Sequence, residues 1–329
     1  MISKTTRLSI VCPAFEEEEV LPPFHAELAK VLDTLGPEYD IEVIYVDDGS
    51  RDHTLSVLHG MAAADRRVRY LSLSRNFGHQ VALTAGLEYA SGDVVISMDS
   101  DLQHPPGLIP LLLEKWKAGH DVVLTLREDD PQLGFVKRNT SRLFYRVMSA
   151  ISDTELRAAA ADFRLMTRRA VNGLLRLRET HRFLRGMVSW VGFPSTTIPY
   201  TPAARAAGMS KYTLRKMLRL ACDGMLSFSR VPLQLTFFAA AGFVALALFL
   251  AFVGVMRWGF ADTPVDIGWY ALMASIWMVG GTTLGGIGVV GEYVGRVYEQ
   301  VKERPRYLLK DASPEFAAEE ERAPLRRAA

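Results

Sequence analysis

The segment Val94–Pro106 (VVISMDSDLQHPP) decides the fold, because it joins an apolar run directly to a pair of carboxylates. The β-branched residues of Val94–Met98 follow a polar turn, which predicts a buried strand. Asp99 and Asp101 come at its end, and Gln103 is close enough to add another oxygen. Oxygen ligands that include one or two carboxylates suit Mg²⁺ or Mn²⁺, whose remaining positions go to diphosphate oxygens. The segment therefore predicts a divalent-metal site at the end of a strand.

The rest of the amino-terminal half alternates strand patterns with helix patterns. Predicted strands cover Leu8–Cys12, Ile41–Val46, Val68–Leu73, Val94–Met98 and Asp121–Leu126, and predicted helices cover Val20–Leu35, Thr54–Ala64 and His79–Tyr89. This alternation is typical of right-handed βαβ units, so we expect an α/β fold with a mainly parallel sheet. Ligands bind beyond the carboxyl ends of the strands in such sheets. The less regular region from about 135 to 230 has room for one or two further strands.

Polar residues also follow the first two predicted strands, which strengthens the metal-site interpretation of an acidic pair that alone would more often be a surface turn. Pro13 stops the first strand, and Phe15 is placed to stack against a base. Asp47 follows the second strand, where a carboxylate can accept the imide N–H of a uracil or guanine base, or a ribose hydroxyl. Glu18 and Glu19 are more simply explained as the start of a helix, where acidic residues complement the dipole.

Composition limits the classes of function. The chain has 329 residues, 49% of them hydrophobic, and a formal net charge of +1, so no global charge indicates nucleic acid as a partner. Cys12 and Cys222 lie far apart and have no metal-ligand spacing, which excludes a disulfide framework. The first residues lack the apolar segment of a signal peptide, and we expect the amino-terminal domain to be cytosolic.

The carboxyl-terminal part contains two long stretches without formal charge, about 233–256 and 267–291. Each exceeds the roughly 20 residues needed to cross a bilayer, which predicts two transmembrane helices with a short loop between them. Basic residues flank the pair on both sides and predict both ends in the cytoplasm, although buried core helices are the alternative. The basic, amphipathic pattern of Lys211–Arg230 is typical of a helix at the lipid headgroups. The glycine-rich second span predicts close packing, including between subunits.

Taken in order, the motifs of this sequence resemble those of GT-A glycosyltransferases of family 2. The general resemblance rests on Pro13–Glu17 (PAFEE), Val46–Ser50 (VDDGS) and Asp99–Asp101 (DSD). A more specific resemblance, to the polyprenyl-phosphate glycosyltransferases, rests on the motifs 74–80 (SRNFGHQ), 101–106 (DLQHPP), 162–166 (DFRLM), 182–186 (RFLRG) and 208–212 (GMSKY). That group includes bactoprenol glucosyltransferases and dolichol-phosphate mannose synthases, and the resemblance covers about residues 7–310. The sequence departs from the usual pattern at Phe15, Glu16, Ser100, His104 and Ala161.

The resemblance implies a domain organisation and a role for individual residues. It implies a GT-A nucleotide-sugar domain at 1–205, an amphipathic juxtamembrane region at 206–232, two transmembrane helices within 233–295 and a charged cytoplasmic tail at 296–329. The nucleoside is expected to contact Pro13, Phe15, Glu17, Tyr45 and Asp47, and the metal and diphosphate to contact Asp99, Ser100, Asp101 and Gln103. Basic positions near the phosphates are Arg127, Arg205 and Lys211, while Asp162 either orients the acceptor or holds an arginine.

The expected activity is inverting transfer of a sugar from a nucleotide diphosphate sugar to polyprenyl phosphate, with Mg²⁺ or Mn²⁺ as cofactor. The resemblance favours UDP-glucose as donor over GDP-mannose. We expect the reaction at the cytoplasmic face of the cell inner (plasma) membrane, with the lipid bilayer as a partner and a multi-pass topology. A processive polysaccharide synthase is disfavoured because no Q-x-x-R-W motif follows Asp162. A non-catalytic scaffold with a degenerate transferase domain is disfavoured by the acidic residues at three strand ends.

Overall fold

The structure is a computed structural model that describes residues 5–127, 160–180, 182–201 and 267–317, together with scattered helical positions between 236 and 252. The chain divides into two compact units. The first comprises Met1–Ser149, Thr154–Leu218 and Pro305–Ala329, and the second comprises Ala150–Asp153 and Arg219–Arg304.

Among the described residues, eight strands of the first unit form a single sheet with the order β7-β5-β6-β4-β1-β2-β3-β8. The strands are β1 (Thr6–Ala14), β2 (Tyr39–Asp47), β3 (Val68–Leu73), β4 (Val94–Ser97), β5 (Val122–Arg127), β6 (Ala160–Thr167), β7 (Ser195–Tyr200) and β8 (Leu309–Ala312). The helices of this unit are α1 (Leu21–Thr34), α2 (Thr54–Ala64), α3 (His79–Tyr89), α4 (Ile109–Lys117), α5 (Arg168–Leu175) and α6 (Leu184–Trp190).

The sheet confirms the predicted α/β class, but it is mixed. β1 pairs in parallel with β2 and β4, β2 pairs in parallel with β3, and β5 pairs in parallel with β7. β6 is antiparallel to both of its neighbours, β4 and β5, and β8 is antiparallel to β3. The central strands are buried along most of their length because helices cover both faces of the sheet, and their sequences are accordingly almost continuously apolar.

The core fixes the position of α3, which begins at the carboxyl end of the sheet. Gly86 lies so close to β1 and β2 that a side chain there would clash with Val11 and Val46. Helices α1 and α4 contribute Phe24, Leu28 and Leu112 to the cluster that covers the sheet. Because backbone and core leave α3 little freedom, the residues at its first turn are held at a defined place beside the strand ends.

The second unit contains a helix, α7 (Ile267–Val301), and corrects the prediction of two transmembrane helices. No helix in the part of the chain that the structure describes is long and apolar enough to cross a membrane. This finding contradicts the span predicted at 267–291. That stretch contains Gly280–Gly281, Thr282–Thr283 and Gly285–Gly286, which contribute little transfer free energy. Most of 233–256 lies outside the described residues. The prediction of a homo-oligomer that packs through two transmembrane helices is therefore not supported.

The segment 305–317 differs from the charged tail expected over 296–329. Leu309–Ala312 forms β8 on the edge strand β3, with Leu71 opposite Ala312. Ser313 Oγ accepts a hydrogen bond from the Tyr70 backbone at 2.7 Å, and Phe316 is buried against Tyr89. The strand itself is only four residues long (LKDA) and lies between the apolar anchors Tyr307 and Phe316, so no periodic pattern marks it in the sequence. Residues 318–329 lie outside the described part.

Candidate active site

The loops that follow β1 and β2 are joined by hydrogen bonds at the carboxyl edge of the sheet. The backbone N–H of Glu16 donates to Ser50 Oγ at 2.9 Å, and that of Glu17 donates to Thr54 Oγ1 at 3.0 Å. Glu16 has a φ of +54°, in the left-handed region that asparagine tolerates better than glutamate. Glu18 does not begin a helix as predicted, since its Oε2 accepts from the His53 backbone at 2.7 Å and α1 begins at Leu21.

Asp47 and Asp48 both hold neighbouring loops. Asp47 is buried, and its two carboxylate oxygens accept hydrogen bonds from Ser50 N at 2.9 Å and Ser72 Oγ at 2.7 Å. Asp48 accepts from the backbone N–H groups of Phe77 at 2.7 Å and Gly78 at 2.9 Å. Burial raises the pKa of Asp48, although these two hydrogen bonds oppose it. The contact of Asp47 with a nucleoside stays a prediction, whereas Asp48 shapes the loop that leads into α3.

The residues after β4 form a tight turn that brings the predicted metal ligands together. Asp101 Oδ1 accepts from the Gln103 backbone at 3.1 Å, and its Oδ2 accepts from Gln103 Nε2 at 2.7 Å. Between them Leu102 has a φ of +62°, a conformation that costs a non-glycine residue roughly 1–3 kcal/mol and is concentrated at functional sites. Ser100 is buried and donates to the Pro13 carbonyl at 2.9 Å, which ties the turn to the end of β1.

The donors of this turn fit a divalent cation. Asp99 Oδ1 is buried and has no hydrogen-bond partner, although His79 Nε2 lies 3.4 Å away, so this oxygen keeps lone pairs for a metal ion. In the described ranges, no group of three or more histidine, cysteine and acidic side chains is placed to hold a metal by itself. Asp99, Asp101 and Gln103 would therefore supply part of the coordination, and diphosphate oxygens and water would supply the rest, as Mg²⁺ commonly requires.

Asp162 reaches the same edge because β6 runs antiparallel to β4. Ser97 lies opposite Arg164 in the register, and continuing it by two residues places Asp162 beside Asp99. The buried Asp162 carboxylate bonds to the guanidinium groups of Arg164 and Arg185, the second through Nη2 at 2.9 Å. Although burial alone would raise it, the charge of Arg185 and the contacts with His79 and Arg164 keep the pKa of Asp162 well below its usual range.

Two histidines flank Asp99, and sequence analysis assigned neither of them to the site. His79 Nε2 lies 3.4 Å from Asp99 Oδ1 and 3.6 Å from Asp162 Oδ2, so it bridges the two carboxylates. Desolvation lowers the pKa of His79, but Asp162 and Asp99 outweigh it and raise the pKa to about 9. His104 is stacked on Phe163, and its Nδ1 accepts the Asp99 backbone N–H at 2.8 Å, which fixes the neutral Nε2–H tautomer. The motifs SRNFGHQ and DLQHPP were the available signal for both.

The remaining predicted residues are spread over several environments. Phe15 and Glu17 are partly buried beside the strand ends, and Arg127 is exposed at the end of β5. Tyr45 is fully buried on the side of the sheet that faces α1, with its hydroxyl 3.1 Å from His25 Nδ1. It has no surface for a nucleoside in this structure, because the side chain at that strand position points into the core. Arg205 and Lys211 lie outside the described residues.

Comparison with known proteins shows which family the chain belongs to. The family model described as Glycosyl transferase family 2 matches residues 9–175. The chain is 41% identical over 311 residues to the SfII prophage-derived bactoprenol glucosyl transferase of Shigella flexneri, covering 92% of this chain and 97% of that one. It is 38% identical to an uncharacterized glycosyltransferase of Bacillus subtilis, over 94% and 95% of the two chains.

Solved structures are more distant. A glucosyl-3-phosphoglycerate synthase from Mycobacterium tuberculosis, in complex with Mn²⁺, uridine-diphosphate-glucose and phosphoglyceric acid, is 20% identical with a TM-score of 0.44. The match covers 68% of this chain and 79% of that one.

Proposed function

Because the chain belongs to glycosyl transferase family 2, we propose that it transfers glucose from UDP-glucose to polyprenyl phosphate, with undecaprenyl phosphate as the acceptor in a bacterial cell. The observation that carries the proposal is the turn after β4. There Gln103 donates a hydrogen bond to Asp101, and Asp99 presents a buried oxygen without a hydrogen-bond partner. The acceptor and the sugar are supported by the near full-length similarity to enzymes whose names say that they glucosylate bactoprenol.

The proposed reaction is a displacement at the anomeric carbon of the donor. An oxygen of the acceptor phosphate forms the new bond to that carbon, the bond to the diphosphate breaks, and the nucleoside diphosphate leaves with the electron pair. A divalent cation, when bound, would offset the charge that develops on the diphosphate. Asp99, Asp101 and Gln103 would hold it, and the Ser100–Pro13 hydrogen bond keeps their turn beside β1.

A general base is unnecessary for this attack, because the acceptor phosphate is already anionic near neutral pH. The contacts of Asp162 are consistent with this view. Its oxygens meet Arg164 and Arg185, and its low pKa makes it a poor proton acceptor. We therefore assign Asp162 to the positioning of charged side chains, not to proton transfer.

We further propose that the reaction takes place at the cytoplasmic face of the cell membrane. A polyprenyl phosphate keeps its tail in the bilayer, because withdrawing it costs about 0.8 kcal/mol for each CH₂ group. An enzyme acting on its phosphate must therefore present the carboxyl edge of its sheet to the headgroup layer.

The test is a donor panel with a defined acceptor. The purified chain is incubated with undecaprenyl phosphate, Mg²⁺ or Mn²⁺, and UDP-glucose, UDP-galactose or GDP-mannose in turn, and the lipid product is identified by mass spectrometry. We expect a hexosyl phospholipid from UDP-glucose, and none from an Asp101→Asn variant that melts at the same temperature. A mannosyl product would identify GDP-mannose as the donor in place of UDP-glucose. The absence of product with every donor would refute the proposal.

A further inference from the structure

The imidazole of His104 closes the acidic turn after β4. Its Nδ1 accepts the backbone N–H of Asp99 at 2.8 Å, a contact between residues five positions apart. Asp101 and Gln103 lie within the loop of chain that this hydrogen bond closes, and Asp99 is its first residue. The hydrogen bond therefore constrains where the first candidate metal ligand lies relative to the other two.

The backbone of this turn needs such a constraint. Leu102 has a φ of +62°, a conformation that persists in a non-glycine residue when the surrounding structure holds it in place. Ser100 fastens the turn to the end of β1 through its hydrogen bond to the Pro13 carbonyl at 2.9 Å. The hydrogen bond to His104 acts along the other direction, because it spans the turn from the first candidate ligand to the residue after the last.

His104 is itself held firmly, by aromatic side chains of two other strands. Its side chain is 7% exposed. The ring stacks on Phe163 of β6 with the centroids 5.3 Å apart, and it meets Tyr200 of β7 edge-on at 5.9 Å. A group whose orientation is fixed by packing can aim a hydrogen bond, so the acceptor of His104 is pre-organised for the main chain of Asp99.

The nitrogen that His104 uses leaves the Asp99 carboxylate free of a hydrogen bond to this ring. Nδ1 accepts from the backbone N–H, so it carries no proton, and its single lone pair is occupied. It cannot donate to Asp99 Oδ2, although that oxygen lies 3.6 Å away. His104 thus holds the main chain of a candidate ligand without competing with a cation for the ligand's oxygens.

We infer that His104 is a positioning residue of the candidate metal site, which places Asp99 relative to Asp101 and Gln103 through the main chain. It acts on the site through Asp99, and groups that orient metal ligands in this way tune the affinity for the metal. This inference rests on the proposed function, because it requires a divalent cation and a nucleoside diphosphate at the turn.

The experiment compares two substitutions of nearly equal size, His104→Leu and His104→Asn. Both remove the ring and its stacking on Phe163. They differ in that the asparagine amide oxygen is attached to Cγ, as Nδ1 is, and can accept the Asp99 N–H, whereas leucine cannot. The Kd for UDP is measured by calorimetry twice for each variant, in Mn²⁺ and in EDTA, and GDP replaces UDP if the donor panel identifies a GDP-sugar.

We expect His104→Leu to raise the Kd in Mn²⁺ by about tenfold or more, the usual result of losing a group that orients a metal ligand. Its Kd in EDTA should not change, and His104→Asn should restore most of the affinity in Mn²⁺. A packing role predicts the reverse order, since leucine fills an apolar space better than asparagine. A smaller rise for His104→Leu, an equal rise for both variants, or an equal rise in EDTA would overturn the inference.

His25→Leu is the control for the loss of a largely buried histidine. His25 also contacts an aromatic residue, Tyr45, with its Nδ1 3.1 Å from the hydroxyl, but it lies on α1. His25→Leu should change neither Kd, and an effect equal to that of His104→Leu would overturn the inference. If His104→Leu does not fold, His104→Gln replaces it, because that amide lies one methylene further out. Equal Kd values for His104→Gln and His104→Asn would then count against the inference.

The unaltered protein separates this inference from the proposed function. If its Kd for the nucleotide is the same in Mn²⁺ and in EDTA, no metal-dependent site exists for His104 to position, and the inference is overturned while the donor panel still decides the activity. If it transfers no sugar from any donor, the proposed function fails, and the two Kd values of each variant still decide the role of His104.

Discussion

Two carboxylates at opposite ends of the sheet, Glu42 and Asp99, have different hydrogen-bond environments. Near the amino end, Glu42 on β2 is 2% exposed, and both of its carboxylate oxygens accept hydrogen bonds. Its donors are the hydroxyls of Ser9 and Ser91, the Ser91 backbone and the guanidinium groups of Arg7 and Arg69. At the carboxyl end, Asp99 Oδ1 is equally hidden from water, but it has no hydrogen-bond partner. Leu102 in the same turn has a positive φ, whereas Glu42 and the residues that donate hydrogen bonds to it do not.

The difference separates stability from function within one sheet. A buried carboxylate whose oxygens all accept hydrogen bonds stabilises the fold, because a substitution that removes its charge leaves the buried donors around it without a partner. A buried carboxylate with an unoccupied oxygen contributes little to folding and keeps its binding capacity for a ligand. Changes at Asp99 and its turn should therefore remove activity and spare stability, and changes at Glu42 should do the reverse.

The largest expected effect is on activity at the carboxyl end. Asp99→Asn or Asp101→Ala should lower the transfer rate by about a thousandfold, since the charge on the leaving diphosphate is no longer offset. The melting temperature should stay within a few degrees of that of the unaltered protein. Rate and thermal unfolding are measured on the same preparations. Full activity of the unaltered protein in excess chelator would contradict the metal role of these residues.

Stability carries the next effect, at the amino end. Glu42→Gln should lower the free energy of unfolding by about 3 kcal/mol, because it leaves Arg7 and Arg69 without their buried partner. The control is Asp40→Asn, since Asp40 also pairs with Arg7 but is 65% exposed, and it should change the free energy by less than about 1 kcal/mol. Denaturant unfolding measures both. The specific activity of the folded Glu42→Gln variant should be unchanged, and a large loss would break the comparison.

The same carboxylate predicts a dependence on pH. Burial would raise the pKa of Glu42, but hydrogen bonds from Ser9 and Ser91 and the charge of Arg7 outweigh it and lower the pKa below the ordinary 4.5. A lowered pKa means that the stabilising effect is complete above pH 4.5 and is lost as the pH falls through the folded-state value. The difference in unfolding free energy between the unaltered protein and Glu42→Gln should therefore shrink below pH 4.5. A constant difference across that range would contradict the assignment.

Local sequence patterns were enough for much of the fold. Val68–Leu73, Thr54–Ala64 and His79–Tyr89 have the boundaries that periodicity and turn residues predict. The acidic turn after β4 was visible because a strand pattern ends directly before its acidic residues. These features depend on neighbours in sequence, and they are the part of the structure that a single chain of letters records best.

What the sequence did not reveal depends on pairing between distant segments. No local signal places Asp162 beside Asp99, since that contact follows from the antiparallel insertion of β6 between β4 and β5. The bridging place of His79 follows from the close packing of α3 at Gly86. The prediction of two transmembrane helices rested on chain length and the absence of charge alone, and no helix of the described residues supports it.

The smallest expected effect concerns the far edge of the sheet, where 305–317 joins the first unit. Tyr307 donates to Glu88 Oε2 at 2.7 Å, and Arg306 pairs with Oε1 of the same carboxylate at 3.2 Å. Tyr307→Phe removes one hydrogen bond to a charged group and should lower the free energy of unfolding by about 1–2 kcal/mol without changing the transfer rate. Tyr298→Phe is the control, because that ring is 61% exposed on α7 of the second unit and should change nothing measurable. Equal effects of the two substitutions would mean that β8 does not stabilise the transferase sheet. A loss of activity with Tyr307→Phe would mean that this edge, unlike the amino end, communicates with the site through α3, on which Glu88 lies nine residues after His79.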